Sequence, residues 1–142
     1  MSKDPAYLAE MRPAWRRSWL QSIAEFADYA LQRQSWFGGP DYNSPHWSFS
    51  EWMCCYFDDL SLSSGYTGVI EDGLVSRKEA NAVHEFHAVA DAYKAPDGDD
   101  HNHSAILSDP AWLRVVSLAD AARGQLLEII TEPSERALLE RK

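Results

Sequence analysis

Lysine and arginine are missing from the whole interval between Arg33 and Arg77. Cysteine is nearly missing as well: Cys54 and Cys55 are the only two, and adjacent cysteines rarely bridge each other because the geometry is strained. The N-terminal run "MSKDPAYLAEMRPAWRRSWL" carries charges throughout and has no continuous apolar core, so a secretory signal is not expected. Both thiols are therefore read as reduced, in a cytoplasmic protein. No stretch approaches the ~18–20 apolar residues of a membrane span. GxSxG, a glycine-rich phosphate loop and SxxK are all lacking, which removes the usual signatures of nucleophilic and phosphoryl chemistry. There is no internal repeat of a solenoid's period.

The acid balance excludes further classes. A net charge of -9 and a pI near 4.9 argue against a nucleic-acid or anionic-membrane partner, because phosphate binding depends on lysine and arginine. A basic protein partner fits better, and a homo-oligomer is compatible with the same surface. The 142 residues, 45% apolar and 25% charged, suit one domain over 1–142. Six tryptophans are more than a core of this size needs.

What is present is helical periodicity. Asp4–Pro5 is an N-cap followed by a proline at the first helical position, and Pro13 is expected to kink or restart the helix. From there to Gln34, Trp15, Trp19, Ile23, Phe26 and Ala30 form one stripe, which Gly38-Gly39-Pro40 ends. Ser48 with Glu51 predicts a capping box and a helix to about Leu62. "SSGYTGVIEDG" is expected to be an irregular connector. Ser76 with Glu79 opens a third helix, reaching about Tyr93. "APDGDDHNHS" is loop by composition. Asp109–Pro110 starts a last long helix carrying Trp112, Val115, Ala119 and Leu126 inward, interrupted by Gly124, and a short terminal helix follows. The expected fold is an all-α, single-domain bundle of four to five helices with a long aromatic loop between the first long helix and the second.

Charge and aromatics coincide. Residues 36–76 carry a formal charge of -6 and nine of the seventeen aromatics. Either the rings fill the bundle and the acids edge it, or some of Trp36, Tyr42, Trp47 and Tyr66 are exposed beside Asp58, Asp59 and Asp72. The second arrangement suits a face for a basic partner: tyrosine and tryptophan give rigid contact area, and acids steer a cation. The expected function is a non-catalytic interaction module, most concretely an immunity- or antitoxin-like inhibitor of a basic toxin or nuclease, with no cofactor. The expected partner-binding residues are Trp36, Tyr42, Trp47, Asp58, Asp59 and Asp72.

The competing reading is a metal-dependent helical-bundle enzyme. His84 and His87 are three apart, Asp91 follows four later, and His46 or the His101/His103 loop could complete a site. "HEFH" is neither HExxH nor the Glu-x-x-His pattern of di-iron bundles. The "DGDDHNH" loop fails the EF-hand spacing. A small-molecule sensor with an aromatic pocket is a third class, without a polar signature of its own. For the thiols, Glu51, Asp58 and Asp59 should raise the pKa and suppress a reactive thiolate.

Overall fold

Local cap chemistry places the helix starts. In a computed structural model that describes residues 4–38 and 48–140, Asp4 accepts from the Ala6 amide and opens α1 (Pro5–Phe26). After α1 come α2 (Tyr29–Gly38), α3 (Phe49–Phe57), α4 (Thr67–Glu71), α5 (Arg77–Ala92), α6 (His103–Leu107), α7 (Pro110–Ile129) and α8 (Pro133–Leu139). The all-α expectation holds, with more helices than four or five. The caps at Ser48, Ser76 and Asp109 are all made, and Ser76 with Glu79 forms the full reciprocal box. The aromatic loop foreseen after the first long helix lies at 39–47, outside the described residues.

Four expectations are corrected. Pro13 sits inside α1 without breaking it; both it and Ala9, whose carbonyl its missing N–H cannot serve, lie on the exposed side. The break comes instead at Ala27–Asp28, where the Asp28 side chain accepts from the Leu31 amide. Gln32 seals the corner: its Nε2 donates to the carbonyls of Glu25 (3.1 Å), which also accepts from the Asp28 amide, and Phe26 (2.9 Å) at the end of α1. Ala30 is consequently exposed rather than part of the buried stripe. The "SSGYTGVIEDG" connector contains α4, bracketed by Gly65 and Gly73 in left-handed conformations (φ 96° and 77°) that favour glycine. The acidic loop, likewise, contains a 3-10 turn at Pro96–Gly98 and then α6.

The core is mostly rings. Trp19, Phe26, Trp52, Tyr56, Phe86 and Trp112 are essentially fully buried. Phe26 meets Tyr56, Phe86 and Trp112 at centroid distances of 5.4–5.9 Å, so α1, α3, α5 and α7 converge on it. Tilted and edge-on ring pairs of this kind add to simple area burial. Helix α7 packs against α5 and α1, and α8 packs against α1.

One charge is sunk into this framework. Arg16 is 3% exposed and uses all five of its N–H donors. Its Nη atoms donate to both Glu79 carboxylate oxygens (3.0 and 2.7 Å) and to the Leu74 carbonyl (2.8 Å). Its Nε and Nη2 donate to Glu135 (2.7 and 3.1 Å). Its guanidinium also lies 5.5 Å from the centre of the Trp19 ring. Residues of α1, α5, α8 and the turn after α4 are thereby tied to one side chain.

Candidate functional site

The only charges that α3 brings to its C-terminal end are acidic. Asp58 is its C-cap and Asp59 follows; both amides bond back to the Cys54 carbonyl, and both side chains are exposed. They meet the negative end of the helix dipole, an arrangement that costs local stability.

Beside them, α1 and α3 leave a groove of about 360 Å³. Met11, Trp15 and Leu60 form its apolar wall, and Glu25, Asp59 and Cys55 its polar side. Among the described residues no lysine or arginine lines it. The Trp15 indole N–H donates to the Leu60 carbonyl at 3.3 Å, which holds the turn after α3 against α1. Glu25 is only 6% exposed. Sequence reasoning overlooked it. Its signal was weak: Ser22 and Glu25, three residues apart beside the tryptophan stripe, are both buried, while Ser18 one turn earlier is exposed.

The thiols sit within this acidic field. Burial, then Asp59, Glu51 and Glu25, push the Cys55 thiol up to about 11. Burial and then Asp58 raise Cys54 as well. Both are protonated at neutral pH, so neither is a ready nucleophile. A groove with apolar walls, two carboxylates and no base is suited to receiving a cationic side chain.

The residues expected at a partner face are only partly brought together. Asp58 and Asp59 are adjacent and exposed, with Asp59 on the groove lip. Asp72 is the half-buried C-cap of α4. Trp36 is a correction: it is 4% exposed, packed on Phe49, Trp52, His103 and Trp112, and gives a partner no surface. Tyr66, expected beside it, is buried too. Tyr42 and Trp47 lie outside the described residues.

Among the described residues the histidines are dispersed. Among the described residues no three or more His, Cys, Asp or Glu side chains are grouped so as to hold an ion. His84 and Asp91 are exposed, and the His87 Nδ1 lies 2.9 Å from the Tyr56 hydroxyl. His103 is occupied structurally: the Phe49 amide donates to its Nε2 at 3.4 Å, while its Nδ1 lies 3.3 Å from the Trp36 carbonyl. His46 lies outside the described residues. Among the described residues no helix is long and apolar enough to cross a membrane. No family model matches the chain, and no curated protein or solved structure matches it.

Proposed function

We propose that the chain is a non-catalytic acidic interaction module that docks a basic protein partner over the end of α3. In its most concrete form it is an immunity- or antitoxin-like inhibitor that covers the cationic surface of a toxin or nuclease in the cytoplasm. The observation that carries the reading is the base-free groove between α1 and α3, with Asp59 on its lip and Asp58 beside it. Exposed carboxylates steer a cationic partner into contact, and apolar walls shield the seated charge from water. Nothing in the groove supplies an activated nucleophile, which is why the reading is a binding one.

The test is the Asp58→Lys/Asp59→Lys variant. Each reversal replaces an attraction of about 0.4 kcal/mol per unit charge at 10 Å in water by an equal repulsion. With several partner charges in range, affinity for a basic partner should fall about tenfold or more, chiefly through the association rate. Stability should move the other way, by about 0.3–1 kcal/mol per residue, because a cation at a helix C-terminus meets the dipole favourably. Capture from native lysate should retain a basic protein on wild type at low salt, lose it from the variant and release it at high salt. Equal retention by the variant, with its circular dichroism unchanged, sinks this placement of the face.

A further inference from the structure

We propose that Trp19, Tyr66, Tyr56 and His87 form a one-directional hydrogen-bond relay that carries the protonation state of His87 to the wall of the groove. The regulatory use rests on the binding reading above; the relay itself does not.

Donor accounting fixes the direction. An indole N–H can only donate, and that of Trp19 donates to the Tyr66 hydroxyl at 2.8 Å. The Tyr66 and Tyr56 hydroxyl oxygens are 2.6 Å apart, and the Tyr56 oxygen is 2.9 Å from His87 Nδ1. With Nδ1 as an acceptor, every proton in the chain has a partner: Trp19 donates to Tyr66, Tyr66 to Tyr56, and Tyr56 to the ring nitrogen. His87 is then neutral, with its proton on Nε2. With Nδ1 protonated, Tyr56 accepts from it and the two tyrosines hold one proton too many; the order that keeps Tyr56 donating makes Tyr66 accept from both Trp19 and Tyr56. Its own O–H then has no acceptor among the described residues. An unmet donor at so buried a position is costly, because it loses its water and gains no partner. The cost of charging the imidazole is thus felt two hydroxyls away, at Trp19.

The surroundings favour the same state. Burial lowers the His87 pKa, outweighing Asp91 one turn on, which favours the charged ring; His84 one turn back opposes it. From α3 it faces Tyr56 and Phe57, and from the segment before α4 it faces Tyr66. Burial holds both tyrosines well above their ordinary value, so they are uncharged. A histidine depressed below its ordinary 6.5 contributes stability that is full above that pH and is lost as pH falls through the folded value.

The inner end touches the proposed site. Trp19 stacks on Trp15 at 5.8 Å, and Trp15 both walls the groove and holds the Leu60 carbonyl beside Asp59. Acidification at His87 therefore has a physical route to the binding face.

The experiment follows ring nitrogens and indole N–H signals of the 15N-labelled full chain by NMR from pH 8 to pH 5. Near pH 8 the His87 ring should be the Nε2–H tautomer. As pH falls, the Trp19 indole signal should shift with the same midpoint as His87. In Tyr56→Phe, which keeps the ring and removes the middle hydroxyl, His87 should still titrate while Trp19 no longer follows it. A His87 Nδ1–H tautomer in the wild type overturns the proposal, even if the variant does not fold. So does a Trp19 signal that stays flat through the His87 midpoint, or one that follows it equally in the variant. These outcomes require no partner, so a failed relay and a failed binding reading are separately visible.

Discussion

Arg16→Met should destabilise the fold by about 3–5 kcal/mol, the usual cost of removing one partner from a buried ionic group. Methionine fills similar volume and keeps the stem against Trp19, so lost packing is a minor part. The damage lies in what remains. Glu79 and Glu135 keep their positions on α5 and α8 but lose the cation between them, and the Leu74 carbonyl loses its donor. In the wild type, burial alone would raise the Glu79 pKa; the Arg16 hydrogen bonds and the Ser76 cap outweigh it, and the carboxyl ends below its ordinary value of 4.5. That interaction stabilises the protein fully above pH 4.5 and is lost as pH falls through the folded value. In the variant the balance reverses, because burial and the facing Glu135 charge both favour the protonated form. Urea denaturation at pH 7 and pH 4 distinguishes the two accounts. The deficit of Arg16→Met should be large at pH 7 and visibly smaller at pH 4, where Glu79 takes up a proton. A deficit equal at both values means that packing, not charge, was what Arg16 supplied.

The same residue marks how far the sequence could be read. Caps were legible because their chemistry is local: Asp4–Pro5, Ser76–Glu79 and Asp109–Pro110 each complete their bonds within three residues. Arg16 was not, since its partners lie 63 and 119 residues away and no spacing rule links them. The corner at Ala27–Asp28 was hidden for a related reason. The apolar stripe runs through it without a phase error, and what closes it is a side chain, Gln32, whose own orientation is set from α7. The acidic, aromatic segment divided along burial. The described rings Trp36, Phe49, Trp52, Tyr56, Phe57 and Tyr66 went into the core, because α5 and α7 supply faces for them that the segment itself does not reveal. Phe37 stayed outside. Asp58 and Asp59 stayed exposed, so among the described residues the expected face keeps its charge and loses Trp36 and Tyr66 to the core.

Trp112 is where that packing is most concentrated, and Trp112→Ala should cost about 3–5 kcal/mol. Its ring lies 5.1–5.9 Å from those of Tyr93, Phe49, Trp36 and Phe26, which come from four separate segments. Truncation to alanine therefore opens a cavity that no single helix can collapse into. A second effect is separable from the first. The Trp112 indole N–H donates to Gln32 Oε1 at 2.9 Å, and the same Gln32 holds the Glu25 and Phe26 carbonyls with its amide. Trp112→Phe keeps a ring but strips Gln32 of its donor, adding about 1–3 kcal/mol for the buried oxygen left unpaired. Trp52→Phe is the matched comparison: Trp52 is 1% exposed, yet its indole N–H has no acceptor among the described residues. Phenylalanine there loses ring area and gives up no hydrogen bond. Thermal denaturation should rank the three as Trp112→Ala, then Trp112→Phe, then Trp52→Phe, from the largest loss to the smallest. Amide exchange should quicken around residues 29–33 in Trp112→Phe but not in Trp52→Phe, since only the first loosens the glutamine that turns α1 into α2. Equal losses in the two phenylalanine variants, with no local change in exchange, would mean that the corner is held by its backbone alone.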